Sequence, residues 1–196
     1  MELLLKEYKK YRWFYTSTGK LVIGGKTAIQ NDELLHQLTA STDEFLVMHT
    51  TEPGSPFCVI LADLKKITKT DHEECAIFTG CFSRAWREKK EYATVDIFLS
   101  SQVYKDKKMK QGTWGVESRL EHLRVSLKLA LTRQQGILRA VPPQTPPRKE
   151  LIAYICPGAL DKQELVPKLE LEFNLSFSPE EVLAAVPAGC CKLCAA

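Results

Sequence analysis

The sequence predicts an α+β fold, with a mixed, largely antiparallel sheet flanked by helices and followed by a small C-terminal α/β extension. Segments with strand-like alternation or β-branched runs outnumber segments with helical periodicity. The two kinds do not alternate regularly along the chain, as they would in a protein built on a parallel sheet. The chain has 196 residues, of which 44% are hydrophobic and 26% are charged. That composition is typical of one globular domain with at most a small appendage.

The first two elements predicted are a helix and a hairpin. Residues 2–12 place leucines and basic residues at helical spacing, which predicts a short basic amphipathic helix. Aromatic and β-branched runs follow at residues 13–17 and 21–23, on either side of Thr18-Gly19. Two such runs around a glycine-containing turn are typical of a β-hairpin.

A second helix and a second pair of strands follow the hairpin. Residues 28–38 have the helical spacing of apolar residues, whereas residues 45–49 and 57–61 are short hydrophobic runs. Pro53-Gly54 lies between these two runs and is a strong turn signal. The pattern therefore predicts a helix and then two strands joined through a turn.

The longest helical pattern covers residues 71–90. Its apolar residues recur every three or four positions, and Thr70 with Glu73 has the spacing of a capping box. Residues 94–99 and 124–131 then predict two further strands, the second with leucine and valine on one face.

Prolines mark the predicted boundary between the domain and its extension. Four prolines within residues 142–147 predict a stiff, extended spacer. We therefore divide the chain into a domain over 1–142, a proline-rich linker over 143–150 and an extension over 151–196 that packs on or near the domain.

Four elements are predicted within the extension. Residues 151–155 predict a strand and residues 161–168 a short helix. Strict alternation of apolar residues over 169–177 predicts another strand. Ser178 precedes Pro-Glu-Glu and has the residue type of an N-cap, so it predicts the start of a final helix.

The charge of the chain is uneven. A net charge of +3, from 27 basic and 24 acidic residues, is too mild to indicate a nucleic-acid partner by itself. Residues 84–114, however, hold eight basic and four acidic residues, and Tyr104 and Trp114 flank the lysine run. A basic loop between aromatic rings suits RNA, because lysines bind phosphates and rings stack on bases. A solvated loop without a ligand has the same composition.

Two motifs resemble functional sites but lack required residues. Gly24-Gly25-Lys26-Thr27 matches the end of a phosphate-binding P-loop, whose first glycine would fall at position 20, where the chain has lysine. No G-x-S-x-G or H-E-x-x-H motif is present either, so the sequence predicts no enzyme. Cys191 and Cys194 form one C-x-x-C without a second pair. We therefore expect no cofactor and no metal site.

The seven cysteines and the hydropathy pattern bear on the compartment. No stretch approaches the 18 or more apolar residues of a membrane span, and no secretory signal is visible. We therefore expect a cytoplasmic protein with no membrane contact. Its cysteines would then be reduced thiols, because disulfides are rare in that compartment.

The residues that follow the first predicted helix resemble a known family. Residues 11–26, YRWFYTSTGKLVIGGK, are similar to the opening of the NFACT-R domain, the RNA-binding domain of ribosome quality-control proteins. Gln30-Asn31-Asp32-Glu33 resembles the continuation, and residues 49–55 are similar to a later histidine and Pro-Gly-Ser stretch of the family. Further similarities follow in order over nearly the whole chain, which is closest to the archaeal and eukaryotic type. One departure is Lys26-Thr27, where the family usually has Arg-Asp.

The resemblance implies that residues 1–142 form an RNA-binding module without enzymatic activity. Its partner would be tRNA or ribosomal RNA of the large subunit. Asn31 and His49 would supply polar contacts near the glycine turn. Basic residues would contact phosphates; they are Arg12, Lys20, Lys26, Lys105, Lys107, Lys108 and Lys110.

Two other interpretations remain open from the residues alone. The acidic extension could dock a protein partner, which would make the chain an interaction adaptor that has lost RNA binding. A nucleotide-binding enzyme using residues 24–27 is disfavoured by the displaced glycine.

Overall fold

An antiparallel six-stranded sheet lies at the centre of the fold. The structure is a computed structural model that describes residues 2–195, apart from the side chain of Glu2. Its strands, in chain order, are β1 (Arg12–Tyr15), β2 (Leu21–Gly24), β3 (Leu46–Thr50), β4 (Cys58–Ile60), β5 (Tyr92–Leu99), β6 (Val103–Tyr104), β7 (Gly115–Val116), β8 (Glu121–Ser126), β9 (Leu129–Gln134), β10 (Ile137–Val141), β11 (Ala153–Leu160) and β12 (Cys191–Cys194).

Six α-helices accompany the strands in the described part of the chain. They are α1 (Glu2–Glu7), α2 (Ala28–Thr39), α3 (Lys69–Cys81), α4 (Arg84–Arg87), α5 (Lys162–Phe173) and α6 (Pro179–Ala185). Short 3-10 helices cover Tyr8–Lys10, Leu64–Lys66, Ser100–Gln102 and Arg148–Glu150. None of the described helices is long and apolar enough to cross a membrane.

Helices cover both faces of the central sheet, whose strand order is β1-β2-β4-β3-β5-β8. Successive residues of a strand point to opposite faces. Trp13, Val47 and Phe98 accordingly join the core under α2, whereas their neighbours Phe14 and Met48 join the core under α3. The prediction of an α+β fold with a largely antiparallel sheet is confirmed.

A second antiparallel sheet, in the order β10-β9-β11-β12, lies beside the first. In it β11 pairs with β9, through Ala153 with Leu131 and Ile155 with Leu129, so the sheet includes strands from both sides of the proline-rich segment. Helices α5 and α6 pack on this sheet through Leu165, Leu169 and Val182, among others. The division into a domain, a linker and an extension stays a prediction.

The proline-rich segment is folded into turns, so the prediction of an extended spacer is wrong. The Thr145 N–H donates to the Pro142 carbonyl at 3.0 Å, and the Glu150 N–H donates to the Pro147 carbonyl at 2.8 Å. Turns are needed here because β11 must come back alongside β9.

Three predicted helix boundaries need correction. The first helix ends at Glu7 and continues as a 3-10 turn, because the hairpin strand already begins at Arg12. The capping box is formed by Thr68 and Asp71 rather than by Thr70 and Glu73. The predicted helix over 71–90 breaks after Cys81, and Ser83 caps the short α4 by accepting from the Ala85 N–H at 3.1 Å.

Two predicted strands also differ. The pattern over 124–131 spans β8 and β9, which are separated where the Leu127 N–H donates to the Glu91 carbonyl at 2.8 Å. The alternating residues 169–177 do not form a strand, because α5 runs through Phe173 and ends at Asn174 in the left-handed conformation, with φ 52°. Leu171 is 89% exposed, as expected for the outer face of a helix.

The expectation that all seven cysteines are reduced thiols is wrong. Cys156 and Cys194 form a disulfide that joins β11 to β12. The other five cysteines are free, and no group of metal-ligating side chains is found among the described residues.

Candidate nucleic-acid interface

A cavity of about 640 Å³ opens on the sheet face that carries α2. Four segments surround it: the β2–α2 loop, residues 53–57, the junction of α3 with α4, and the loop over 111–114. Its volume is within the range of pockets that hold small organic ligands. Ala188, from the predicted extension, also lines this cavity.

Two glycines allow the β2–α2 loop to form the base of this cavity. A Cβ at Gly24 would come within 2.6 Å of the Cys58 Sγ, and a Cβ at Gly25 would overlap the side chain of Asn31. Thr27 then begins α2 by accepting from the Gln30 N–H at 3.2 Å. The first N–H groups of the helix have no acceptor inside it and give this end a partial positive charge.

Three cations gather at this end of α2. The Arg12 guanidinium donates to the Gly25 carbonyl at 2.7 Å and lies 5.3 Å from the centroid of the Phe82 ring. Arg139 stacks over the Trp13 ring at 4.2 Å. Neither arginine, nor Lys26, forms an ion pair with any described residue.

Burial disfavours the charged forms of all three cations, and Lys26 is also repelled by the two arginines. Burial, followed by repulsion from Arg139 and Arg12, lowers the pKa of Lys26. Burial also lowers the pKa of Arg12 and of Arg139. A cluster of positive charges without ion-pair partners in a partly desolvated site favours an anion.

A histidine and an aromatic ring lie across the cavity from this cluster. The His49 ring packs on the Phe57 ring with their centroids 4.4 Å apart and their planes inclined at 31°. Its Nδ1 lies 2.7 Å from the Thr50 carbonyl oxygen. Burial lowers the pKa of His49, although the Thr50 carbonyl and Asp96 act in the opposite direction. The charged form of the ring is therefore disfavoured, and the ring is a flat surface in the lining of the cavity.

Asn31 joins α2 to the strand that follows the Pro-Gly turn. Its Oδ1 accepts from the Phe57 N–H at 3.3 Å. Its Nδ2 makes no hydrogen bond with the described residues and is a donor on the cavity wall.

Asp32 fixes the basic loop, which lies between Tyr104 and Trp114, against α2. Its carboxylate accepts from the Trp114 Nε1 at 2.7 Å, from the Lys105 Nζ at 2.9 Å and from the Gly112 N–H at 3.0 Å. Burial alone would raise the pKa of Asp32, but these hydrogen bonds outweigh it and lower that pKa. The loop is therefore held as a rigid wall of the cavity.

The residues predicted to contact RNA lie in separate places. Arg12, Lys26, Asn31 and His49 line one cavity. Lys20 lies at the opposite end of the β1–β2 hairpin from Gly24.

Lys105 has an internal role, because its three donors bind Asp32 and the carbonyls of Lys110 and Thr113. The remaining lysines of the loop are exposed to solvent; they are Lys107, Lys108 and Lys110.

Sequence reasoning missed two cations of the site. Arg87, at the end of α4, lines the cavity, and Arg139, on β10, completes the charge cluster. Arg139 is a single cation between Leu138 and Ala140 in an otherwise apolar strand. That position was the signal in the sequence, because burying a charged side chain in an apolar strand is costly unless the charge has a partner.

Comparisons with known proteins identify the family of the chain. A model of the NFACT protein RNA-binding domain matches residues 10–118. The archaeal Rqc2 homolog aRqcH of Methanocaldococcus jannaschii is 27% identical over 202 aligned positions, which cover 96% of this chain and 29% of that protein. The chain thus spans less than a third of the length of this curated relative.

A solved structure shares the fold. It is the C-terminal part of the fibronectin/fibrinogen-binding protein from Streptococcus suis, with a TM-score of 0.52 and 22% identity. The likeness covers 59% of this chain and 44% of that one. Because the family model matches more than half of the sequence, including the glycine pair, Asn31 and His49, the chain belongs to the NFACT-R family of RNA-binding domains.

Proposed function

We propose that this protein is a non-enzymatic RNA-binding module of ribosome-associated quality control. Its ligand is tRNA or ribosomal RNA of the large subunit, bound in the cytoplasm. Family membership supports RNA as the ligand class. The relationship to the archaeal Rqc2 homolog supports the quality-control setting.

The observation that carries the proposal is the cluster of Arg12, Lys26 and Arg139. These cations lie at the N-terminal end of α2, and no described carboxylate forms an ion pair with any of them. A phosphate group placed there would remove their mutual repulsion and would accept hydrogen bonds from them. RNA supplies such groups along its whole backbone.

The opposite wall of the cavity suits a base. The His49 ring on Phe57 is a flat surface, and the Asn31 amide supplies a hydrogen-bond donor. Sequence-specific RNA recognition mostly uses unstacked bases that lie against such rings. We therefore assign the backbone to the cationic side of the cavity and a base to the His49 side.

A salt titration tests the phosphate contacts. In single-stranded RNA, each neutralised phosphate adds about −0.7 to the slope of log affinity against log salt. The Lys26→Ala/Arg87→Ala variant removes two exposed cations of the cavity and should flatten the slope by about 1.4. The Lys65→Ala/Lys66→Ala control removes two charges from the 3-10 helix Leu64–Lys66, outside the cavity. A wild-type affinity independent of salt contradicts the proposal.

The RNA ligand can be distinguished by binding assays with total tRNA and with purified large ribosomal subunits. Salt-sensitive binding to one of them, weakened in the Lys26→Ala/Arg87→Ala variant and retained in the control, identifies the class of RNA. Absence of binding to both contradicts an RNA role.

One observation favours the alternative of a protein-interaction adaptor. Three leucines of the extension are exposed: Leu171 at 89%, Leu175 at 46% and Leu183 at 41%. Large exposed apolar side chains can contribute to a surface that contacts another protein. If the chain is an adaptor that has lost RNA binding, the wild type should bind neither total tRNA nor large ribosomal subunits, and Leu171→Glu should abolish capture of its protein partner.

A further inference from the structure

A second cavity, of about 360 Å³, lies next to the first. The segment 50–53 separates the two and contributes Thr50, Thr51 and Pro53 to both. Neither the sequence nor the comparisons assign a role to this second cavity.

The two cavities follow each other along one strand. Asp96 and Phe98 of β5 line the first cavity, whereas Tyr92 and Thr94 line the second. Alternate residues of a strand share a face, so all four lie on the sheet face that carries α2. Phe98 is six steps along the strand from Tyr92, which is about 20 Å at 3.3 Å per residue. An extended single strand of RNA can run over that length.

The second cavity contains a flat cationic surface. The Arg124 guanidinium lies 4.2 Å from the centroid of the Tyr92 ring, which is 45% exposed. The register supports this contact, because Arg124 of the edge strand β8 is directly opposite Thr94, two residues from Tyr92 on the same face. Guanidinium planes and aromatic rings are the groups on which unstacked bases pack.

The charge of the second cavity also suits RNA. Its lining holds the cations Arg84, Lys90 and Arg124 and one acid, Glu52. Lys90 already binds Glu52 at 2.7 Å, and also Glu88 at 3.2 Å, outside the lining. Neither arginine forms an ion pair with a described residue, although the charge of Arg84 contributes to lowering the pKa of Glu52.

Asp96 does not interrupt the path between the cavities. Its carboxylate accepts from Arg119 at 3.2 Å and from the Thr51 hydroxyl at 3.0 Å, so its charge is compensated. The α4 helix is fixed beside the path because the Arg84 N–H donates to the Gly54 carbonyl at 2.8 Å.

We infer that the second cavity, with Arg84, Tyr92 and Arg124, binds a further nucleotide of the same RNA strand that enters the first cavity. The inference rests on the proposed function. The base stacks on the Tyr92–Arg124 pair, and Arg84 contacts the phosphate that crosses the 50–53 segment.

The test compares uridine oligonucleotides of about four and about twelve nucleotides, measured by fluorescence anisotropy. The longer one reaches both cavities and should bind the wild type more tightly. Tyr92→Ala and Arg124→Ala should weaken the longer oligonucleotide by roughly fivefold to a hundredfold and leave the shorter one unchanged. The matched control is Arg148→Ala, which removes an exposed arginine from the 3-10 helix Arg148–Glu150.

The possible outcomes separate the inference from the proposed function. If Lys26→Ala/Arg87→Ala weakens both oligonucleotides but Tyr92→Ala and Arg124→Ala change neither, the second cavity is refuted and the RNA role stands. Equal losses on both lengths also refute it, because the second cavity would then add no nucleotide. If the wild type binds neither oligonucleotide, the second cavity is refuted, and the assays with total tRNA and large ribosomal subunits decide whether the RNA role stands.

Discussion

Asp32 should hold the basic loop in place, and replacing it should release that loop. The substitution Asp32→Asn removes a charge that accepts three hydrogen bonds of 2.7 to 3.0 Å. The amide that replaces it retains one acceptor and places a donor opposite the other donors. The Lys105 and Asp32 side chains are only 19% and 17% exposed, so water compensates this loss only in part.

The magnitude follows from the burial of this pair. Removing one partner of a fully buried ion pair costs about 3–5 kcal/mol. For a pair about four-fifths buried we expect a loss of about 2–3 kcal/mol in the free energy of unfolding, which includes leaving the Trp114 indole N–H without its acceptor.

Urea unfolding followed by tryptophan fluorescence measures this loss, and amide exchange at Gly112 reports the release of the loop. The matched control is Asp106→Asn in the same loop, because the exposed Asp106 accepts only from the Lys108 N–H, at 2.8 Å. It should change stability by less than about 0.5 kcal/mol. An equally small change in Asp32→Asn would refute the argument that this carboxylate fixes the loop.

Acid should also remove the stabilisation that the ionised Asp32 carboxylate provides. Because the folded-state pKa of Asp32 is lowered, its stabilisation is complete above the unfolded pKa of about 3.9 and is lost as the pH falls through the folded value. The stability difference between the wild type and Asp32→Asn should therefore shrink below about pH 4.

Three further predictions concern other parts of the molecule. Burial raises the pKa of Glu74, so Glu74→Gln should equal or exceed the wild type in stability at pH 7, and its advantage should vanish in acid; a large loss in urea unfolding would contradict this. Cys194→Ser should lower the free energy of unfolding by about 2–4 kcal/mol, and a reductant should destabilise the wild type alone. If the exposed loop lysines bind phosphate, replacing them together by alanine should lower the salt slope by about 2 without changing thermal stability; these are Lys107, Lys108 and Lys110.

The first five strands, β1 to β5, could be predicted from local pattern alone, whereas β8 was merged with β9. Trp13 to Tyr15 and Leu21 to Gly24 are short apolar runs around a turn, and they pair as expected. The strand predicted over residues 169–177 is wrong, because the alternation of these residues competes with a helical pattern in which Leu165, Val166 and Leu169 are buried. The Asp161–Glu164 capping box was the signal that favours the helix.

The candidate site was predictable only in part, for a physical reason. Arg12, Lys26, Asn31 and His49 lie in recognisable motifs, whereas Arg139 comes from a strand of the second sheet. Its approach to Lys26 depends on how the two sheets meet, which no local pattern contains. Lys105 shows the opposite case, because its charge in a basic run gave no sign that Asp32 would bind it internally.

The pairing of β9 with β11 has a consequence for the kinetics of folding on the ribosome. Strand β9 ends at Gln134, but its partner β11 begins only at Ala153. At about 5–20 residues per second, one edge of β9 stays unpaired for about 1–4 s during synthesis, until the ribosome reaches β11. An unpaired edge can add a strand from another chain. The proline turns bring β11 into position soon after it emerges and so shorten the interval in which nascent chains can aggregate through this edge.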